Sequence, residues 1–286
     1  MKSKALRSVS SNSRNERRLA DVHPALAETH LDSYLSSLAA RPDDSPRVGR
    51  LLARLDKVVD LRPPKDVLVV GSGPRPQLIN TLAARGHRVV GVEPVPSFVA
   101  AANEYLAGGN EVRAGTAEAL PVESASQDLI VCESVLEHVD SPRAALAEMY
   151  RALRPGGIVY IYTTNRLRFS LRGQNGEFNV PFFNWFPRLV RESYVFRHLH
   201  HKPDLANYSL RPAVHWFTYA QLCELGRESG FGQFYAMVDL AGLHDPSLTW
   251  RRRMLLGPLQ RSPWLRALAL TQIGGSIVML KRPSAP

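Results

Sequence analysis

A glycine turn, followed about twenty residues later by an acid, is the first feature of the chain that suggests chemistry. Gly71-Ser72-Gly73-Pro74 follows a β-branched run and precedes a helix-like segment. Glycines let the backbone approach a ligand there, and the following helix N-terminus favours a negative group. Glu93 ends the next strand-like run. Its carboxylate could accept hydrogen bonds from a ribose there, and the alternative is that Glu93 is only an exposed acid at a strand end. The pattern favours a nucleotide site, although Pro76 replaces the third glycine of a dinucleotide dehydrogenase.

Strand and helix patterns alternate around this turn. Short β-branched or apolar runs predict strands, and spaced apolar residues predict helices. The predicted strands cover residues 67–70, 88–92, 111–114, 128–132, 158–162, 233–238 and 276–280, and the predicted helices cover residues 77–85, 96–106, 142–153 and 219–229. Because strands that alternate with helices form parallel sheets, the sequence predicts an α/β fold with helices on both faces of the sheet.

The N-terminal part of the chain differs from the rest in composition. The whole chain has 36 Lys and Arg against 26 Asp and Glu, a formal net charge of +10, and part of this excess lies in residues 1–20. Segments this polar do not fold alone, so we expect a disordered basic tail over residues 1–20, with contact to anionic lipid or nucleic acid as its alternative role. We expect N-terminal helices over residues 21–62 and the main domain over residues 63–286.

Cysteine content and hydropathy limit the class of protein. Cys132 and Cys223 are the two cysteines, too few for a disulfide framework or a zinc-ligand cluster. The first residues contain no apolar run of signal-peptide length, and no stretch approaches the roughly 18 apolar residues of a membrane span. We therefore expect a cytoplasmic protein without a metal site.

Residues 163–217 interrupt the alternation with aromatic residues and histidines. The segment is too long for an ordinary loop, and we expect an insertion that covers the open end of the sheet on the acceptor side. Its aromatic residues, among them Trp185 and Tyr208, either line an acceptor site or form only the core of this lid. His198, His200 and His201 lack a carboxylate cluster, so a solvated basic loop is favoured over a metal site.

Residues 250–270 form a basic, amphipathic stripe. Packing against the protein's own sheet is favoured for such a stripe, and weak contact with an anionic membrane surface is the alternative. The sequence contains no recognisable RNA- or DNA-binding module, so we expect no specific nucleic-acid partner.

Four motifs follow one another between residues 66 and 162. They are Gly115-Thr116-Ala117-Glu118-Ala119-Leu120-Pro121, Gln127-Asp128-Leu129-Ile130-Val131-Cys132, Val135-Leu136-Glu137-His138-Val139 and Leu153-Arg154-Pro155-Gly156-Gly157. As an ordered set they resemble the class I S-adenosylmethionine (SAM)-dependent methyltransferases of the type 11 domain group, which includes O-methyltransferases of ubiquinone biosynthesis. The resemblance implies a Rossmann-like, seven-stranded sheet whose last strand is antiparallel. It also implies that SAM lies across the carboxyl ends of the first strands.

The resemblance implies a role for each residue of the cofactor site. The turn Gly71-Ser72-Gly73 would face the methionine part of SAM, and Glu93 would hold the ribose. The other assignments are Pro94 and Val95 beside the adenine, Thr116 and Ala117 at the adenine edge, and Glu133 and Ser134 near the methionine part and the acceptor.

The expected chemistry is methyl transfer, at oxygen, to a small-molecule or glycan-type acceptor. Alignment supplies much of the rate of such a transfer, and a hydroxyl acceptor also benefits from a general base. His138 is the first candidate base and His215 the second; a purely structural role is the alternative for His138. Val69, Arg75 and Thr116 depart from residues common in the family. A SAM-binding or interaction protein without transfer activity therefore stays the second hypothesis.

Overall fold

A seven-stranded sheet forms the centre of the computed structural model, which describes residues 45–106, 108–169, 180–195, 197, 213–242, 245 and 248–283. The predicted tail over residues 1–20 lies outside the described residues, as do His198, His200, His201 and Tyr208. Of the predicted N-terminal helices, the structure describes one, and it begins at Ser45.

The elements occur in nearly the order that the sequence predicts. The strands are β1 (Asp66–Val70), β2 (Arg88–Glu93), β3 (Glu111–Ala114), β4 (Gln127–Glu133), β5 (Leu153–Tyr162), β6 (Gln233–Ala236) and β7 (Ser276–Leu280). The helices are α1 (Ser45–Leu55), α2 (Gln77–Ala83), α3 (Pro96–Tyr105), α4 (Pro142–Ala152), α5 (Arg188–Tyr194), α6 (Tyr219–Glu228), α7 (Met237–Leu240), α8 (Trp250–Arg261) and α9 (Pro263–Ile273), with a 3-10 turn over Phe183–Trp185.

The strand order across the sheet is β3-β2-β1-β4-β5-β7-β6. Strands β1 to β5 pair in parallel, whereas β7 runs antiparallel to both β5 and β6. The predicted Rossmann-like sheet with an antiparallel last strand is therefore confirmed. The order reverses between β1 and β4, and ligands of open α/β sheets bind outside the carboxyl ends of strands at such a point.

Both faces of the sheet are covered, as the continuous apolar strands require. In β1, Leu68 and Val70 belong to one buried cluster, which also contains Leu146 of α4 and Leu222 of α6. Val67 and Val69 alternate with them and belong to the other cluster, with residues of α1 and α2. Because both faces are covered, a ligand must bind at the ends of the strands, and in open α/β sheets these are the carboxyl ends.

Two predicted strand boundaries are wrong. Strand β5 begins at Leu153, ahead of the predicted start, because Leu153 pairs with Gln127 of β4. Gly156 then donates to the carbonyl of Lys281 at 3.0 Å, and Gly157 accepts from the amide of Lys281 at 3.0 Å. Strand β6 ends at Ala236 because the amide of Ala236 donates to Asp239 Oδ2 at 2.9 Å, which starts α7.

The basic stripe of residues 250–270 forms two helices. The prediction that the whole stripe packs on the sheet is wrong. Ser262 has extended dihedrals and its side chain accepts from the amide of Leu265, which ends α8 and begins α9 at Pro263. Leu256 is the one fully buried residue of α8, and α9 has none. No helix of the described residues is long and apolar enough to cross a membrane.

Candidate functional site

The two glycines of the turn after β1 share one backbone conformation. Gly71 and Gly73 have φ angles of 71° and 66°, in the left-handed region that glycine tolerates. A Cβ at Gly71 would lie 2.2 Å from Cγ2 of Val135, so the turn packs directly on the segment after β4. A Cβ at Gly73 would meet no atom within 4 Å. Gly73 therefore borders open space at the carboxyl edge of the sheet.

Glu93 is held against this turn. Its side chain is 6% exposed; Oε2 accepts from the amide of Gly73 at 3.0 Å, and Oε1 accepts from the amide of Val95 at 3.3 Å. Burial raises the pKa of Glu93, while the two amide hydrogen bonds oppose that rise. Because a carboxylate offers about four lone-pair sites, two remain for a ligand.

The predicted adenine contacts lie on the same edge. The amide of Gly115 donates to the carbonyl of Glu93 at 3.2 Å, which sets residues 115–117 beside Glu93. Thr116 is exposed and Ala117 is buried. Pro94 is exposed, whereas Val95 is 7% exposed and belongs to the core. The structure thus brings the glycine turn, Glu93 and Thr116 together at the ends of β1, β2 and β3.

Glu133 and Ser134 lie at the end of β4. Ser134 has a φ of 56° and donates its amide to the carbonyl of Tyr162 at 2.7 Å. The Glu133 carboxylate accepts two hydrogen bonds from Arg47 of α1, at 2.7 and 3.0 Å. The sequence reasoning missed Arg47, since no motif connects residues so far apart in the chain.

Both candidate bases are connected to the segment after β4: His138 belongs to it, and His215 contacts it at Val139. His138 is half-buried, and its amide donates to the carbonyl of Val135 at 2.8 Å. His215 Nε2 lies 2.9 Å from the carbonyl of Val139, which can only accept, so Nε2 carries the proton. Burial lowers the pKa of His215. His215 is therefore a neutral imidazole whose Nδ1 alone can take a proton.

Glu137 is a buried acid to which the sequence reasoning gave no role. Thr163 Oγ1 donates to its Oε2 at 2.6 Å, and its backbone carbonyl accepts from the amides of Val214 and His215. Burial raises the pKa of Glu137 to about 7. This residue joins the segment after β4 to both ends of the insertion.

The insertion is attached to the carboxyl end of β5. Asn184, fully buried, donates Nδ2 to the carbonyls of Asn165, Arg166 and Arg168 at 3.2, 2.9 and 2.6 Å. Phe183 is likewise buried and packs near Trp216, whereas Trp185 is 56% exposed. The aromatic residues of the insertion therefore divide into a core and an exposed set.

Arg191 of α5 is buried in this insertion without an anionic partner among the described residues. Its guanidinium lies 4.3 Å from the ring centroid of Trp216, and its Nε and Nη1 find no hydrogen-bond partner in the part of the chain that the structure describes. Burial lowers its pKa to about 10, and the charge of nearby Arg166 adds to that effect. No sequence pattern singled out this residue.

The comparisons with known proteins agree with this arrangement. Residues 68–161 match the family model described as a methyltransferase domain. Residues 68–161 form the matched core of a class I SAM-dependent methyltransferase domain. The glycine turn, Glu93 and the segment after β4 all lie within the matched residues.

Three similar proteins illustrate the relationship. A ubiquinone biosynthesis O-methyltransferase of Pseudomonas fluorescens is 39% identical over 106 residues, which are 36% of this chain and 45% of the relative. An uncharacterized methyltransferase of a Mycobacterium species is 39% identical over 35% of this chain and 39% of its own length. The match thus spans less than half of these curated relatives.

A crystal structure from Galdieria sulphuraria, proposed to be a sarcosine dimethylglycine methyltransferase, has a TM-score of 0.50 and 16% identity over 83% of this chain and 85% of its own. At this identity the likeness concerns the fold alone, and it agrees with the sheet described above.

Among the described residues, no group of three or more His, Cys, Asp or Glu side chains is arranged to hold a metal ion. The histidine cluster of residues 198–201 lies outside those residues.

Proposed function

We propose that the protein binds SAM at the carboxyl edge of β1, β2 and β4 and methylates a hydroxyl oxygen of a small-molecule or glycan-type acceptor. The observation that carries the proposal is the Glu93 carboxylate, fixed by the amides of Gly73 and Val95 beside the open space at Gly73. A buried carboxylate with two free lone-pair sites suits the two hydroxyls of a ribose. The oxygen acceptor is supported by the similarity to the Pseudomonas fluorescens O-methyltransferase.

The chemical types of the residues at this edge are suited to bind SAM. In this proposal Gly71, Ser72 and Gly73 face the methionine part, and Glu93 holds the ribose. Pro94, Thr116 and Ala117 border the adenine, and Glu133 and Ser134 lie beside the methionine part. When bound, SAM supplies a methyl group that its sulfonium has already activated.

The remaining chemistry is positioning and removal of one proton. His138 takes the proton from the acceptor hydroxyl in this proposal, because it follows β4 directly and is half-buried beside the edge of the sheet. His215 is the second candidate, through Nδ1 alone.

The test combines binding with turnover. SAM affinity is measured by calorimetry, and release of S-adenosylhomocysteine is measured over a panel of phenols, catechols, sugars and polyols. Binding with acceptor-dependent turnover supports the proposal. Binding without turnover on any acceptor favours the alternative, a SAM-binding or interaction protein without transfer activity. Absence of SAM binding in the folded protein would contradict both.

A further inference from the structure

Helices α8 and α9, residues 250–273, expose an unusually large apolar surface. Trp264 is 85% exposed, Met254 70%, Leu268 67% and Trp250 66%. The other exposed large apolar residues of this pair of helices are Leu255, Leu265 and Ile273. In α8, Trp250, Met254 and Pro258 recur every fourth residue, and in α9, Trp264 and Leu268 do the same, so each set lies on one side of its helix. Contiguous exposed apolar surface of this kind marks an interaction site.

The exposed face is not needed to hold these helices on the protein. Leu256 packs on Ala236 and Val238 from the opposite side of α8. Arg266 of α9 forms two hydrogen bonds of 2.7 Å with Asp239 of α7. The two helices are therefore anchored by one face and leave the tryptophan-bearing face without a partner among the described residues.

The exposed charge around α8 is positive. Arg251, Arg252 and Arg253 occupy the first turn of α8, and Arg261 ends it, all exposed. None of the four forms an ion pair with a described residue, and the sequence after Asp245 contains no Asp or Glu. Cations in the first turn of a helix oppose its macrodipole, so these arginines do not serve the stability of α8. Local choices that work against the fold are expected at functional sites.

We propose that the exposed face of α8 and α9 binds an anionic phospholipid bilayer. In the membrane interface, exposed Trp rings and Leu side chains enter the acyl boundary, and neighbouring arginines bind lipid phosphates. Tryptophan is enriched at this depth because its ring is apolar and its N–H remains hydrated. A second copy of the chain is a poorer occupant, because pairing the two faces would place unopposed arginines of both copies together.

The attachment of α9 to the sheet determines where a bilayer bound to α8 and α9 would lie relative to the proposed cofactor site. Asn165 donates Nδ2 to the carbonyls of Leu270 and Thr271 at the end of α9, at 3.2 and 3.1 Å. Asn165 follows β5 closely, at the carboxyl edge of the sheet. Binding through α8 and α9 would therefore hold that edge beside the bilayer. This consequence rests on the proposed function, whereas the lipid contact itself does not.

The test uses the full-length protein without SAM, co-sedimented with vesicles. One vesicle population is phosphatidylcholine, and the other contains about one third phosphatidylglycerol. We expect binding to the second population, weakened by salt because the attraction is screened. The double variant Arg251→Gln/Arg253→Gln should reduce this binding roughly 25-fold, since each basic residue at an anionic surface contributes about fivefold. Trp264→Ala should reduce it roughly tenfold through lost apolar burial.

The matched control is Arg62→Gln/Arg143→Gln, which removes the same charge from exposed arginines elsewhere. It should bind vesicles almost as the unsubstituted protein does. Equal losses in both double variants would overturn the proposal, because net charge alone would then explain binding. Two other results would also overturn it. One is absent vesicle binding together with a dimer, seen by analytical ultracentrifugation, that Trp264→Ala converts to a monomer. The other is binding to RNA without binding to vesicles.

Discussion

Arg47 and Glu133 form a two-point ion pair across the end of β4, with Nη1–Oε1 and Nη2–Oε2 distances of 2.7 and 3.0 Å. The pair brings the N-terminal part of α1 to the edge where the proposed cofactor site lies. Glu133 is also the acid that we place beside the methionine part of SAM. The ammonium group of SAM and the guanidinium of Arg47 would then compete for one carboxylate.

Arg47→Gln should therefore tighten SAM binding by roughly two- to fivefold. The pair is partly exposed, with side chains 44% and 21% accessible, and such pairs contribute about 0–1 kcal/mol. Calorimetry at low and raised salt measures the effect, which should shrink as salt screens the pair. Arg62→Gln, which breaks the exposed pair with Asp60, is the control. Weaker SAM binding in a folded Arg47→Gln protein would show that Arg47 supports the cofactor instead.

Glu93→Ala should weaken SAM binding by about 1.5–3 kcal/mol, the scale of a lost hydrogen bond to a charged group. Because burial raises the pKa of Glu93, the affinity of the unsubstituted protein should fall as the pH drops through a value above the ordinary 4.5. Glu104→Ala changes an exposed acid of α3 and should leave SAM binding intact. Unchanged SAM affinity in a folded Glu93→Ala protein would remove Glu93 from the site.

The sequence predicts the sheet well because each strand of its centre carries its own signal. The run from Val67 to Val70 is β-branched and ends at a glycine, and burial on both faces agrees with that composition. The glycine turn and Glu93 were predicted for the same reason, since their spacing is local. Strand β6 was predicted too long because Asp239 caps Ala236 through a side chain, which hydrophobic pattern does not register.

Contacts between distant parts of the chain were not predictable in this way. Arg47 and Glu133 are 86 residues apart, and only the folded sheet brings them together. Glu137 stood within a motif, but its burial depends on Thr163 and on the backbone of residues 214–215. The amphipathic pattern of residues 250–270 does not say which face of this segment meets the protein, and α9 proved to have no fully buried residue.

Glu137 should make the protein less stable as the pH rises. Its folded pKa of about 7 lies above the ordinary 4.5, so the folded state binds more protons than the unfolded state between these values. The free energy of unfolding then falls with rising pH over that window, by about 3 kcal/mol in total. Glu137→Gln keeps an oxygen for the Thr163 hydroxyl and removes the titration. Urea unfolding at pH 5 and pH 8 should show a smaller difference for this variant.

The matched control for Glu137 is Glu104→Gln, whose side chain is exposed and should retain the pH dependence of the unsubstituted protein. An unchanged difference in the free energy of unfolding between pH 5 and pH 8 in the Glu137→Gln protein would contradict the prediction, because another group would then cause the pH dependence.

His138 and His215 should respond differently to the same substitution. His138→Asn should lower kcat by at least roughly 100-fold on a turned-over acceptor, with SAM affinity unchanged, because a general base contributes on that scale. His215→Asn should chiefly lower stability, since Nε2 is bound to the carbonyl of Val139 and the ring packs near Phe217. The measurements are kcat against pH and urea unfolding. If His138→Asn had a normal kcat and His215→Asn had a greatly reduced kcat, His215 would be the general base and His138 the structural residue.

Trp185 and Phe183 allow the role of the insertion to be separated from its stability. They are neighbours in one 3-10 turn, but Trp185 is 56% exposed and Phe183 is fully buried. The hydrogen bond of Trp185 is from Nε1 to the carbonyl of Arg168 at 3.1 Å. If the insertion binds the acceptor, Trp185→Ala should raise KM for the acceptor or change the preferred acceptor, with SAM affinity and melting temperature nearly unchanged.

Phe183→Ala should instead destabilise the protein by about 3–5 kcal/mol, because it leaves a cavity beside Trp216 and Val195. Both variants remove an aromatic ring from the same turn, but one ring is exposed and the other is buried. Comparing them therefore distinguishes acceptor binding by the insertion from a role in packing alone. Hydrogen exchange of SAM-saturated protein, with and without a turned-over acceptor, gives the direct readout over residues 163–217. If acceptor adds no protection there, and Trp185→Ala leaves acceptor KM and preference unchanged, the insertion does not bind the acceptor and the packing role alone accounts for its aromatic residues.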